Sequence, residues 1–289
     1  AHGMEAGVHR LHGGGHRGPE PEFSVLRLIE GRPRGVKAFE LFEVICDLHG
    51  LDYAKLIRPR QFASGLPMTR LLTWNIRHGG GARTEAIADA IASHNPDIVV
   101  LSEFRNNQFG AHLLECFADM GLVHQRSGRA APPANTVSIA ARFALTPLPG
   151  AGRLGAWSHR VVAVRCGDIR LAGLYLPNLK AKLSLLEYLV SLPRAYLKEP
   201  TLLVGDLNSG KQGIDGPDTF VFFEGAFLEK LESQGWTDGF RHFHGLAQEF
   251  TWYSHRHNGY RLDYAFSSPP MTDRLSAAWH SHSEREAGL

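Results

Sequence analysis

Apolar residues fall into short runs that alternate with stretches of helical spacing. Arg70–Ile76 and Asp97–Phe104 read as strands, with a helix near Arg83–His94 between them. A second helix near Asn107–Met120 precedes a strand at Thr136–Arg142. Strands at Arg160–Arg165 and Ile169–Leu176 follow, and Gly167-Asp168 between them reads as a hairpin turn. Leu183, Leu186 and Val190 mark a helix, Thr201–Val204 a buried strand, and Phe220–Gln234 a further helix. Phe250–Tyr253 and Arg261–Phe266 read as the last strands. Strands and helices in this order, with a hairpin inside, predict an α/β protein with mixed rather than purely parallel sheets. No repeat of the usual solenoid period is present.

The N-terminal part lacks this regularity. Residues 1–21 are rich in glycine and histidine and bury too little apolar surface to offset ordering entropy, so a disordered leader is expected. Residues 22–67 are expected to form a partly helical appendage, with one helix near Val36–Leu48 on whose face Phe39, Phe42 and Ile45 meet. The domain proper is expected to span residues 68–289, starting at Met68 just before the first strong strand.

Composition narrows the class without identifying it. The 289 residues are 43% hydrophobic and 21% charged, which argues against global disorder, collagen-like repeats and coiled coil. No run reaches the roughly 18 apolar residues of a membrane span. A formal net charge of +2 is too small to imply nucleic acid by itself. Cys46, Cys116 and Cys166 are too few and too scattered for a disulfide framework and read as small buried hydrophobes. Without a secretory pattern, a monomer in a reducing cytoplasm is the default expectation.

Candidate chemistry collects where strands end. Polar residues close four of them: Trp74-Asn75-Ile76-Arg77, Leu101-Ser102-Glu103, Tyr175-Leu176-Pro177-Asn178 and Gly205-Asp206-Leu207-Asn208. Ligands of open α/β sheets gather outside strand ends, so these residues are candidates to converge, although each alone also suits a turn or a solvated rim. Gly205–Lys211 has the glycine and lysine spacing of a phosphate loop. Gln212 replaces the metal-binding hydroxyl, however, and Asp206 would put a carboxylate in the anion cradle. The Gly79-Gly80-Gly81 stretch reads as a turn before a helix.

Taken in order, Trp74-Asn75, Ser102-Glu103, Tyr175-x-Pro177-Asn178, Gly205-Asp206-x-Asn208 and Thr251-Trp252…Arg261-Leu262-Asp263-Tyr264 resemble the endonuclease/exonuclease/phosphatase superfamily, especially its exonuclease III and abasic-site endonuclease branch. The resemblance runs from about Arg70 to the C-terminus. It implies a four-layer α/β sandwich of two packed mixed sheets flanked by helices, and hydrolysis of phosphoesters with Mg²⁺, or Mn²⁺ in its place. In that scheme Glu103 is the metal carboxylate with Asn75 beside it, and Asp206 orients and deprotonates the attacking water. Asn208 holds that water or a phosphoryl oxygen, Tyr175 donates to phosphate or helps the leaving group, and Asn178 supports loop geometry. Asp263 would orient a catalytic histidine.

That histidine marks a departure from the family. The family carries Ser-Asp-His and a closing strand shortly after the Arg-x-Asp-Tyr strand, whereas this sequence stops at Leu289. The expectation is therefore a fragment lacking the last strand, with a bared sheet edge and impaired activity. Three His-x-His pairs, His242/His244, His255/His257 and His280/His282, would each share a face on a strand, but none brings the remaining ligands of a zinc site.

For the substrate, Trp252, Arg256 and Arg261 form a patch of aromatic and cationic groups suited to stack a sugar or base and contact phosphate. The alternative is a half-buried tryptophan with a solvated rim. DNA is the favoured substrate. Lipid headgroups or small phosphoesters are the alternative within hydrolases, and a catalytically dead phosphate- or nucleic-acid-binding module is the alternative outside them.

Overall fold

The computed structural model describes residues 23–28, 69–149 and 151–289, with the side chains of 23–28 and 151–153 left aside. The expected leader and the helix near Val36–Leu48 lie outside these residues. The strands are β1 (Phe23–Leu28), β2 (Thr69–Asn75), β3 (Ile98–Phe104), β4 (His124–Ser127), β5 (Thr136–Ala141), β6 (Leu145–Pro147) and β7 (Val161–Cys166). They continue as β8 (Ile169–Tyr175), β9 (Thr201–Asp206), β10 (Thr237–Asp238), β11 (Trp252–Tyr253), β12 (Gly259–Tyr260), β13 (Asp263–Ser267) and β14 (Leu275–Ser281). The α-helices are α1 (Thr84–His94), α2 (Gln108–Asp119), α3 (Leu183–Val190), α4 (Gly225–Ser233), α5 (Gly239–His244), α6 (Pro269–Thr272) and α7 (Ser283–Glu286).

Two six-stranded sheets result, ordered β14-β1-β2-β3-β5-β4 and β10-β13-β9-β8-β7-β6. Both are mixed: β2 runs parallel to β3 and β8 to β9, and the other pairs are antiparallel. Alternation along each strand sorts the side chains between layers. Leu71 and Val100, with Val137 of the same sheet, point into a core shared with Leu171 and Val204 of the facing sheet. Their neighbours Leu72, Val99 and Leu101 point outward against Ile87 and Ile91 of α1 and Leu113 and Phe117 of α2. On the far side Leu174, Leu203 and Phe266 pack on Leu185 and Leu189 of α3 and Leu228 and Leu231 of α4. The layers thus read helix, sheet, sheet, helix. The sheets lie so close that a Cβ on Gly173 would come within 2.7 Å of Val137 and 2.8 Å of Val100.

Three expectations change. Phe23–Leu28, expected in the appendage, forms a strand that pairs with β2 over six residues on one side and with β14 on the other. The outer edge of β2 is therefore paired rather than bare. The expected helix over 220–234 begins only at Gly225, and residues 220–224 form a non-helical lip. Finally, His242 and His244 lie on helix α5, where residues two apart do not share a face, so they are not a strand-borne ligand pair.

Candidate active site

Asn75, Glu103 and Asp206 meet where the two sheets are stitched together at their strand ends. Asn75 ends β2 opposite Ser102 of the parallel β3. Ser102, fully buried, donates its hydroxyl to the Leu174 carbonyl of the other sheet at 3.0 Å and accepts the Asp206 N–H at 3.4 Å. One side chain of β3 therefore fixes the ends of both β8 and β9. The next residue, Glu103, adopts φ +55° where the β3–β5 register slips, and the bulge turns its carboxylate out of the ladder. Gly205 precedes Asp206 because β8 crosses too closely for any side chain: a Cβ there would sit 2.1 Å from the Leu174 carbonyl oxygen.

The Asn75 amide bridges the two carboxylates, donating to Asp206 Oδ2 at 2.8 Å and to Glu103 Oε1 at 3.1 Å. Asp206 is further held by Asn208, whose backbone N–H reaches Oδ1 at 2.8 Å and whose side-chain amide reaches Oδ2 at 3.2 Å. Glu103 Oε2 accepts from the His78 N–H at 2.8 Å and from the Asn135 amide at 2.9 Å. Burial, reinforced by the nearby Glu103 charge, pushes the Asp206 carboxyl up to about 7 despite the bonds from Asn208 and Asn75. Tyr175 is pushed up to about 12 by burial and by Glu103, against a hydrogen bond with Asn135 that lowers it, so its hydroxyl keeps its proton at neutral pH. The Arg160 guanidinium lies 4.4 Å from the Tyr175 ring centre.

These groups floor an open cleft of about 550 Å³ whose lining also includes Asn178, Lys182, Trp252 and Asp263. Asp263 faces Asp206 directly across the β13–β9 pairing. Trp252 is half-buried beside Tyr260, ring centres 5.4 Å apart. Asn75, Glu103, Tyr175, Asn178, Asp206, Asn208, Trp252 and Asp263, all candidates from sequence, therefore converge on one cavity. Two candidates do not. Arg256 is exposed on the turn after β11 and does not line the cleft. Arg261 is wholly buried, because its guanidinium is taken up by Asp215 at 2.7 Å and Asp238 at 2.6 Å. Its partners lie 46 and 23 residues away in sequence, and nothing local announces them.

Sequence reasoning missed three features of the cleft. Lys182 is buried, paired with Glu224 at 2.6 Å and hydrogen-bonded to the Asn208 carbonyl, which braces the left-handed turn at Asn208, φ +47°. Asn135 ties the Glu103 carboxylate to β5. An apolar lip overhangs the polar floor: Leu179, Val221 and Phe223 are 75%, 70% and 51% exposed, an unusual cost for large apolar side chains of a cleft rim. The apolar run Phe220-Val221-Phe222-Phe223, of which only Phe222 is buried, was the available signal; its helical reading hid it. The phosphate-loop alternative fails on geometry, since Lys211 pairs with Glu232 at 2.7 Å and Asp206 fills the cradle.

A family model described as the Endonuclease/Exonuclease/phosphatase family matches residues 72–283, and the chain belongs to that family. An exodeoxyribonuclease of Streptococcus pneumoniae is 24% identical over 255 residues, covering 72% of this chain and 92% of the relative. An AP endonuclease from Archaeoglobus fulgidus has a similar structure, with TM-score 0.58, 20% identity, and coverage of 69% of this chain and 85% of that one. A 3'-5' exonuclease from Neisseria meningitidis gives TM-score 0.59 and 23% identity, over 70% of this chain and 88% of its own. The resemblance to the exonuclease III and abasic-site endonuclease branch therefore holds. The chain is by kinship a phosphoesterase of the nuclease and phosphatase type. Among the described residues no helix is long and apolar enough to cross a membrane.

Proposed function

We propose that the chain is a Mg²⁺-dependent DNA phosphodiesterase, with Mn²⁺ as an acceptable substitute, acting as a monomer in the cytoplasm. The observation that carries this reading is the single Asn75 amide shared by Glu103 and Asp206 at the floor of an open cleft. The donor set fits a hard divalent cation: the Glu103 carboxylate would hold it through oxygen with Asp206 nearby, and Asn75, whose NH₂ donates to both carboxylates while its oxygen accepts from the Arg77 N–H, would orient them from beside the ion. Such a cation, when bound, offsets the negative charge of the phosphate and of the departing oxygen.

The chain's own groups account for the remaining chemistry. Asp206 takes the proton of the attacking water. Its carboxyl is suited to that task because burial brings its proton affinity near neutral pH, and Asn75 and Asn208 fix its orientation. Asn208 and Tyr175 line the same cleft, which supports Asn208 as a holder of the attacking water or a phosphoryl oxygen and the Tyr175 hydroxyl as a donor to phosphate or to the leaving oxygen. Asp263, opposite Asp206, supports a histidine in the family pattern. Trp252 and the lip of Leu179, Val221 and Phe223 offer apolar and aromatic faces to a sugar or base while the floor handles the phosphate. That division of labour favours a nucleic-acid strand over a small phosphoester.

The test is cleavage of a labelled duplex carrying one abasic site, by this chain and by its Asp206→Asn variant. Mg²⁺-dependent cutting by the parent, abolished by EDTA and strongly reduced in the variant, is the expected result. Hydrolysis of a small phosphodiester without DNA cleavage would overturn the DNA assignment. DNA binding with no hydrolysis of either substrate would establish the binding-module alternative.

A further inference from the structure

On the outer helix layer three side chains of metal-binding chemistry converge, and none of them lines the cleft. Glu85 stands in the first turn of α1, while His112 and Cys116 lie four residues apart on α2 and so share a face. His112 Nε2 is hydrogen-bonded to Glu85 Oε1 and lies 3.8 Å from Cys116 Sγ. Ligand atoms of all three lie within 4.8 Å of one another. We propose that Glu85, His112 and Cys116 form a second metal site, separate from the hydrolytic centre. It takes a zinc-class divalent cation, with water as fourth ligand, and clips α1 to α2.

The donor set selects the metal. One thiolate, one imidazole and one carboxylate suit Zn²⁺ or Co²⁺, whereas Mg²⁺ prefers oxygen alone. A tetrahedral centre with the usual Zn–S and Zn–N bonds puts sulfur and nitrogen about 3.6 Å apart. The observed Sγ–Nε2 distance of 3.8 Å is close to that value, and the Glu85 oxygen, hydrogen-bonded to Nε2 without the ion, would draw back to ligand spacing as the ion enters. Glu115 Oε2 lies 3.6 Å from His112 Nδ1, the other ring nitrogen, an arrangement that directs Nε2 toward the metal. The surrounding charge is negative: besides burial, Glu85, Asp119 and Glu115 all hold the Cys116 thiol above its ordinary value. The same charges attract a cation, whose binding would release the thiol proton.

Cobalt distinguishes this site from the cleft, because the cleft lining contains no sulfur. Titrating the full chain with Co²⁺ is expected to produce the near-ultraviolet thiolate-to-cobalt charge-transfer band, saturating at one equivalent. Cys116→Ser should abolish the band and His112→Ala should weaken the affinity about tenfold or more. Asp206→Asn should leave the band unchanged, which separates this outcome from any result on DNA cleavage. A wild-type chain without the band at saturating cobalt would overturn the proposal. So would a band that survives Cys116→Ser, since it would then arise from another thiol.

Discussion

Two carboxylate clusters lie near the end of β9 and are built in opposite ways. Beyond the end of β9, Asp215 and Asp238 face Arg261 and Arg241, two negative against two positive groups, with Asp215 and Arg261 fully out of solvent. Tyr264 adds its hydroxyl to Asp215 Oδ2 at 2.7 Å. Nine residues earlier, Asp206 shares a cleft with Glu103, and only neutral amides lie between them. The cations of the first cluster hold the Asp215 carboxyl down to about 2 against the burial that opposes them. In the second, burial and a like charge raise Asp206. Charge balanced and sealed is structural; charge left unbalanced in an open cleft is what binding and proton transfer require.

The largest expected effect breaks the second cluster. Asp206→Asn keeps the shape and removes the base, so Mg²⁺-dependent cleavage should fall by about 10²–10⁴. Stability should move the other way. A carboxyl whose pKa is raised by folding destabilises the fold wherever it is ionised, so above neutral pH the variant should melt no lower than the parent. A lower melting temperature would mean that Asp206 serves the fold.

Asp215→Asn inverts the pattern. It leaves the Arg261 guanidinium buried with half its compensation, at an expected cost of about 3–5 kcal/mol. Urea unfolding measures this directly. Cleavage per folded molecule, assayed well below the melting transition, should decline far less than in Asp206→Asn. Equal losses of activity in both variants would dissolve the distinction between the clusters.

The clusters also differ in how much of them the sequence reveals. Cleft residues sit at the ends of strands with strong apolar patterns, so Asn75, Glu103, Asp206 and Asn208 stand out as polar residues where a buried strand needs none. The sandwich itself follows from the same runs, once alternation sends Leu71 and Leu72 to opposite faces. Arg261 was misread as a substrate contact because an arginine next to an aromatic turn looks the same whether or not distant aspartates claim it. Lys182 and Asn135 were invisible for a related reason: their roles depend on tertiary partners 42 and 32 residues away. Short edge elements such as β4, β6 and β10 carry too few apolar residues to declare a period. Strand β1 was obscured by the irregular sequence around it, although its six residues complete the sheet between β14 and β2.

The smallest predicted effect separates the clusters by pH alone. Asp215 has a depressed folded pKa, so its contribution is fully present above the unfolded value and is lost as pH falls through about 2. A shift from the ordinary aspartate value of 3.8 to about 2 amounts to about 2 kcal/mol at neutral pH. Asp206 has a raised folded pKa, so in EDTA acidification from alkaline pH should stabilise the fold until the unfolded-state carboxyl also takes up its proton. Urea unfolding across this range should therefore give two difference curves of opposite sign. Parent minus Asp215→Asn should be positive at neutral pH and shrink below about pH 4. Parent minus Asp206→Asn should be negative at alkaline pH and rise toward zero on acidification. Curves of the same sign would show that burial alone, rather than the balance of charge around each carboxylate, sets their behaviour.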